Sequence, residues 1–323
     1  MQGIRVARHG GPEVLEWTEL DDPVPGPSDL VVDVAAAGLN YIDTYQRSGL
    51  YRLPLPFTPG LEGAGVVRAV GTDVSRFAAG DRVAWSQTLG SYAQRARVPE
   101  RDAVAVPENV GLDTAAALLL QGMTAHYLAV STYPLAKGER CLIHAGAGGV
   151  GLLLIQIAKR RGAEVFATVG SEEKAELARG AGADHVIVYR DTDFGAEVEA
   201  IAGPKPLDVV YDGVGQATFE RGLTLLRPRG MMVTFGNASG PVAPFPPLRL
   251  SELGSLYLTR PKLAEYVLTR EELEGRASDV LGWVADGSLA VRIGARLPLK
   301  DAADAHRLIE SRQSTGKVLL QTG

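Results

Sequence analysis

Three glycines stand at G-x-G-x-x-G spacing in His144-Ala145-Gly146-Ala147-Gly148-Gly149-Val150-Gly151, between an apolar run and an apolar helical stretch. This arrangement presents backbone N–H groups to a pyrophosphate. Gly146 permits a tight turn, Gly148 lets the backbone approach the anion, Gly151 lets helix and strand pack closely, and the free N–H groups of the helix start face the charge. Cys141-Leu142-Ile143 predicts a buried parallel strand, and residues 150–158 repeat apolar side chains on a helical period before the basic turn Lys159-Arg160-Arg161. A second strand, Glu164-Val165-Phe166-Ala167-Thr168-Val169, follows closely. With 38 glycines in the chain the spacing alone would arise by chance, and a structural turn is the plain alternative. The strand before and the helix after favour a dinucleotide grip.

The elements that must position this loop require a large core. The chain has 323 residues, 46% of them hydrophobic and 22% charged, which predicts a soluble protein of two domains. A formal net charge of -5, with no run of lysine or arginine longer than three, argues against nucleic-acid binding. Met1-Gln2-Gly3-Ile4-Arg5-Val6 lacks the apolar core of a signal peptide and residues 150–158 are too short to span a bilayer, so a cytoplasmic protein without a membrane partner is expected. The single cysteine, Cys141, lies in an apolar strand and reads as a small buried hydrophobe.

The first hundred residues alternate short strands with glycine and proline, as in Leu30-Val31-Val32-Asp33-Val34, Gly65-Val66-Val67-Arg68-Ala69-Val70 and Arg82-Val83-Ala84-Trp85. From Leu112 the pattern turns helical. From Arg140 strands alternate with helices, the signature of βαβ units on a parallel sheet: Asp184-His185-Val186-Ile187-Val188, Leu207-Asp208-Val209-Val210-Tyr211 and Met231-Met232-Val233-Thr234-Phe235 are nearly continuously apolar, as a sheet covered on both faces requires. Gly254-Ser255-Leu256-Tyr257-Leu258-Thr259 is expected at a sheet edge. A long helical segment after Pro261, the stretch Ala295-Arg296-Leu297-Pro298-Leu299, a helix over 302–310 and a strand Lys317-Val318-Leu319-Leu320 are too few for a third domain, and are expected to return to the first. The expected division is 1–122 with 262–323, and 123–261.

Taken with Asn40-Tyr41-Ile42-Asp43-Thr44-Tyr45, Arg47-Ser48-Gly49-Leu50-Tyr51, Pro59-Gly60-Leu61-Glu62-Gly63-Ala64-Gly65, Phe235-Gly236-Asn237-Ala238-Ser239-Gly240, Thr259-Arg260-Pro261 and Glu310-Ser311-Arg312, the glycine loop gives a chain that resembles, nearly end to end, the zinc-free quinone oxidoreductases of the medium-chain dehydrogenase/reductase superfamily, near zeta-crystallin. The resemblance implies an α/β fold, a Rossmann doubly wound parallel sheet inserted in a GroES-like partly open β-barrel domain, with a cleft between them and a homodimer joined through Rossmann edge strands. Zinc-dependent members of the superfamily carry cysteine where Asn40 stands and histidine where Leu61 stands. Neither residue here is a zinc ligand, and His9, His126, His144, His185 and His306 are scattered without ligand spacing, so metal-free chemistry is expected.

NAD-selective Rossmann domains end the second strand with an acid that holds the ribose 2'-hydroxyl. Here the strand ends Val169-Gly170-Ser171, and with Lys174 nearby the pattern points to NADPH, Glu172 and Glu173 being solvent-facing acids of a first helical turn. The resemblance further implies cofactor contacts for Tyr41, Ile42, Asp43, Thr44, Tyr45, Thr124, Tyr127, Gly146, Gly148, Gly149, Val150, Gly151, Gly170, Ser171, Lys174, Tyr189, Gly213, Asn237, Ala238, Ser239, Tyr257, Leu258, Thr259 and Arg312. For Arg312 a surface salt bridge, and for Thr124 a helix N-cap after Gly122-Met123, are the bland alternatives. Hydride transfer to a quinone or another electrophilic small molecule is the expected reaction. Tyr45 and Tyr51 are candidate proton donors or aromatic walls, Asn40 is expected to orient Tyr45 or a substrate oxygen, Thr124 completes the catalytic set, and Arg260 lines the pocket or makes a turn. Reduction of an activated carbon–carbon double bond, as in an enone or alkenal, is the enzymatic alternative. A cofactor-binding crystallin-like or RNA-binding protein without turnover is the other.

Overall fold

The structure is a computed structural model that describes residues 1–190 and 192–322. It divides into two units, Met1–Met123 with Val267–Gly323, and Thr124–Tyr266. In the first, β1 (Gln2–Arg5) and β2 (Glu16–Glu19) form a hairpin, and β3 (Asp29–Leu39) leads through Asn40 into α1 (Tyr41–Ser48). Then come β4 (Glu62–Val70), β5 (Arg82–Ser86), β6 (Arg95–Pro99), β7 (Ala103–Ala105) and α2 (Leu112–Tyr127), the last crossing the division. Alternation along the strands puts Leu30, Val32, Val34, Val67, Val83 and Trp85 into one core.

The second unit carries β8 (Arg140–Ile143), α3 (Gly149–Arg160), β9 (Glu164–Val169), α4 (Glu172–Gly180), β10 (His185–Val188), α5 (Phe194–Ala202), β11 (Leu207–Asp212), α6 (Phe219–Thr224), β12 (Leu226–Thr234), α7 (Leu248–Glu252) and β13 (Tyr257–Thr259). Its sheet runs β10-β9-β8-β11-β12-β13 with every neighbouring pair parallel. This is the doubly wound order, and the chain reverses direction across the sheet between β8 and β11, where ligands of such sheets bind. Leu142, Phe166, Val210 and Met232 pack with Phe219 and Leu223 of α6, so the near-continuous apolar runs are explained by helices on the sheet faces.

The tail returns to the first unit as α8 (Arg270–Ala285), β14 (Ile293–Pro298), α9 (Ala302–Glu310) and β15 (Lys317–Gln321). β15 lies antiparallel on the second half of β3, from Leu39↔Val318 to Ala36↔Gln321, while β6 pairs the first half of the same strand. β3 is thus the spine of that unit. Two local expectations fail. Thr124 opens no helix, because α2 runs through Gly122; that glycine leaves room for Leu118, whose Cδ1 would lie 2.7 Å from an added Cβ. The left-handed residue of the phosphate-loop turn is Ala145, at φ 55, and not Gly146.

Gly151 brings the helix close to the glycine loop and not to the strand itself: a Cβ there would sit 2.4 Å from the Ala145 carbonyl oxygen and 2.9 Å from Gly146 backbone atoms. Gly151→Ala should therefore destabilise the fold by roughly 1–3 kcal/mol, read from urea unfolding. A variant as stable as the parent would show that loop and helix are not in close approach.

Candidate functional site

Within the second unit the expected cofactor residues gather at the carboxyl edge of the sheet. Gly148 is the extended N-cap of α3, Gly146 N–H donates to Thr168 O at 2.9 Å, and the first turn of α3 contains no acid. Gly149, Val150 and Gly151 form that turn, so an anion placed there meets helix-dipole charge without a competing carboxylate. At the end of β9, Ser171 caps α4, its Oγ accepting from Lys174 N–H at 3.4 Å. Half-burial, and secondly the Arg190 guanidinium, push the Lys174 ammonium below its ordinary pKa. Lys174 after the second strand and Arg190 after the third are close enough to repel each other, and together they suit a phosphate monoester on the ribose. Glu172 turns away, paired with Arg179 at 2.6 Å. Tyr189 is half-exposed next to them, and a Cβ on Gly170 would be 3.1 Å from its hydroxyl. Arg190 was not among the expected residues; a cation directly after the third strand was its only signal.

The loops after β11 and β12 complete this edge. Asp212 Oδ1 accepts from Val214 N–H at 2.7 Å and Gly215 N–H at 3.0 Å, and a Cβ on Gly236 would meet Gly213 O at 2.3 Å, so the two loops interlock. Asn237 and Ala238 lie on the second loop, Ala238 N–H donating to Gly213 O at 3.3 Å. Ser239 departs from expectation: its hydroxyl donates to Val214 O at 2.8 Å and accepts from Ala217 N–H at 3.0 Å, which ties loop to loop. Arg260 reaches the same place, donating to Thr234 Oγ1 at 3.1 Å and Gly236 O at 3.0 Å. Tyr257, Leu258 and Thr259 form edge strand β13, the first two well exposed. Tyr127 is buried, with its ring stacked 4.2 Å from Tyr266, and Thr124 is buried in α2.

In the first unit, α1 carries the other group. Tyr45 and Tyr51 meet edge to face at 5.2 Å, Tyr51 N–H donates to Tyr45 O at 3.0 Å, and Tyr41 Oη donates to Ile309 O at 2.8 Å. Ile42 is half-buried, and Arg312 follows α9 in the left-handed region at φ 58. Asp43 and Thr44, expected at the cofactor, point inward; Thr44 Oγ1 donates to Tyr41 O at 2.7 Å. Asn40 is also turned in. Its Oδ1 accepts from Lys317 Nζ at 2.8 Å and Gln121 Nε2 at 3.1 Å, while its Nδ2 donates to Glu62 Oε2 at 2.8 Å and Gly38 O at 3.1 Å. All four hydrogen-bonding positions of the amide are filled, so it orients neither Tyr45 nor a substrate oxygen directly. Glu62 and Asn40 together hold the Lys317 ammonium. Among the described residues no group of three or more His, Cys, Asp or Glu side chains is placed to hold a metal ion, and no helix is long and apolar enough to cross a membrane.

A buried polar chain extends from Asn40. Asp43 Oδ2 accepts from Asn40 N–H at 2.8 Å and Tyr92 Oη at 3.2 Å, Tyr92 Oη meets His306 Nε2 at 3.3 Å, and His306 Nδ1 accepts from Arg47 Nη1 at 3.1 Å. Arg47 Nη2 ends the chain on Glu310 Oε1 at 2.6 Å. Arginine cannot accept, so His306 must carry its proton on Nε2 and donate it to Tyr92. Burial raises the Asp43 carboxyl to about 7 and lowers the His306 imidazole to about 3, the latter helped by the Arg47 charge. The unfolded chain ionises Asp43 first as pH rises from 3.8 to about 7, and stability falls across that window. His306 works the other way, removing stability as pH falls from 6.5 towards about 3. Asp43→Asn removes only the first effect. Its stability relative to the parent should rise from pH 4 to pH 7, by at most about 1.4 kcal/mol per pH unit, in urea unfolding at several pH values. A constant difference would contradict the assignment.

Comparison with known proteins follows this geometry. Residues 26–138 match the alcohol dehydrogenase GroES-like domain model and residues 149–275 the zinc-binding dehydrogenase model. The quinone oxidoreductase of Pseudomonas aeruginosa is 44% identical over 98% of this chain and 98% of its own length. The 2-haloacrylate reductase of a Burkholderia species is 39% identical over 98% of this chain and 97% of its own. The solved quinone oxidoreductase of Escherichia coli, complexed with NADPH, superposes with a TM-score of 0.97 at 43% identity, covering 99% of this chain and 100% of that one. With Asn40 and Leu61 at the positions where zinc-dependent relatives carry ligands, the chain belongs to the zinc-free quinone oxidoreductase family of the medium-chain dehydrogenase/reductase superfamily.

Proposed function

We propose that the protein is an NADPH:quinone oxidoreductase that works without a metal ion. The observation that carries the cofactor choice is the pair Lys174 and Arg190 beyond the glycine loop, with Glu172 paired elsewhere. The relative solved with NADPH supports the same choice. When bound, NADPH supplies hydride to an electron-poor acceptor, a step that depends on proximity and orientation more than on Lewis-acid assistance. The chain's own residues do the holding. The start of α3 takes the pyrophosphate, Lys174 and Arg190 take the ribose phosphate, and the 236–240 loop with Arg260 borders the reactive end. Tyr45 and Tyr51, packed edge to face, offer an aromatic wall to a quinone, and their hydroxyls are candidate proton donors to the reduced oxygen. Thr124 and Tyr127 act from α2, and Arg312 from the tail.

A second reading is favoured by the 2-haloacrylate reductase relative: reduction of an activated carbon–carbon double bond by the same residues. We further propose that the enzyme is cytoplasmic and forms a homodimer. β13 ends its sheet with Tyr257 and Leu258 exposed, an edge suited to a second copy.

One experiment tests reaction class and cofactor together. Cofactor oxidation is followed with 9,10-phenanthrenequinone, 1,4-benzoquinone and small alkenals, at matched NADPH and NADH, for the parent protein and for Lys174→Ala with Arg190→Ala. The parent should turn over quinones with NADPH, and the double variant should lose about 10- to 100-fold in NADPH affinity with that for NADH nearly unchanged. Alkenals outpacing quinones would move the assignment to the second reading. Tight NADPH binding with no acceptor reduced would make it a binding protein, and an unchanged NADPH/NADH ratio would sink the cation argument.

A further inference from the structure

The helix that carries Tyr41, Ile42 and Tyr45 turns mainly polar and charged side chains inward, with Tyr41 packed, partly buried, against the apolar core. α1 has eight residues, too few to be stable alone, and its fully buried side chains are Asp43, Thr44, Gln46 and Arg47. Its position therefore depends on directional polar contacts, and these converge on one ion pair. Lys317 Nζ lies 2.5 Å from Glu62 Oε2, with 1% and 0% of the two side chains exposed. Glu62 Oε1 accepts from Leu120 N–H in α2 at 2.7 Å, so one carboxylate joins β4, α2, β15 and, through Asn40, the start of α1. No slack remains around it: a Cβ on Gly38 would lie 2.3 Å from Ala116 O and 2.7 Å from both Glu62 Oε2 and Lys317 Cε.

Stability alone does not account for such a pair, since apolar replacement of a buried ion pair is often neutral or stabilising. Orientation does. The amide of Asn40 faces an ammonium with its oxygen and a carboxylate with its nitrogen. Rotating it by half a turn would set N–H against N–H and oxygen against oxygen, so the two charges leave it a single orientation. That orientation fixes the residue whose main-chain N–H binds Asp43 Oδ2, the first link of the chain that ends at Arg47 in the last turn.

We infer that Lys317, through Glu62 and Asn40, is a positioning residue for the active-site helix, supplying the internal cation that sets where Tyr45 stands for hydride transfer. The activity arm of its test rests on the proposed reductase; the exchange arm does not. Glu62→Gln with Lys317→Met removes both charges without leaving one unpaired. In this double variant, amide hydrogen exchange over residues 41–48 should speed up at least about tenfold while the rest of the chain keeps its protection. In the same protein kcat with a quinone should fall at least about tenfold, with the NADPH dissociation constant within about twofold of the parent. A folded double variant with native exchange in α1 and native kcat would overturn the inference and leave the pair a core filler. If the double variant does not fold, Gln121→Leu, which removes only the second donor to Asn40, decides by the same two readouts. About two- to fivefold changes confined to α1 and kcat support the inference, and none overturns it. A parent protein that reduces no quinone would defeat the functional reading while the exchange result still stands.

Discussion

Free backbone N–H groups at the carboxyl edge of a parallel sheet must meet a partner, and the strand order of this chain gathers them at one place. Between β8 and β11 the sheet reverses its winding, and the glycine loop delivers α3 to that gap with its N-terminal turn free of acid. The remaining cofactor features follow from this. The turn exists because Gly151 allows helix against loop, the interlocked loops after β11 and β12 close the same edge, and the cations of Lys174 and Arg190 stand at the far end of the neighbouring strands. A dinucleotide bearing one additional phosphate is the ligand we propose for these groups.

The other unit solves a different problem. Its helix α1 buries Asp43, Thr44, Gln46 and Arg47, and its apolar anchor in the core is the partly buried Tyr41. Buried charge orients it, because hydrogen bonds to charged groups are directional, and a wrong orientation buries like against like. The arrangement also fixes protonation: Arg47 sets the tautomer of His306, and Asp43 titrates near neutrality under its desolvation.

Much of this was readable in the sequence, for identifiable reasons. Cys141, Leu142 and Ile143 and the other strands of the parallel sheet announce themselves because both faces are covered, which makes the runs continuous. The glycine loop is legible because its backbone demands are met by few residues. Interactions between distant positions were not. Lys317 and Glu62 are 255 residues apart, and each looked like an ordinary charge in a strand until β15 was laid beside β3. Charged residues inside core strands were the available signal, since burial of either requires a partner. The resemblance implies a cofactor contact for Asp43 and an orienting role for Asn40, but facing direction on an eight-residue helix and at its cap is set by tertiary contacts. The N-cap alternative for Thr124 fails because α2 continues through Gly122, which packs against Leu118.

A crystal structure of the protein grown with NADPH would show whether this sheet edge is built for that dinucleotide. The pyrophosphate should lie against the 146–151 loop at the start of α3, and the 2'-phosphate within hydrogen-bond distance of both Lys174 and Arg190. A pyrophosphate seated elsewhere, or a 2'-phosphate that touches neither cation, would contradict that assignment.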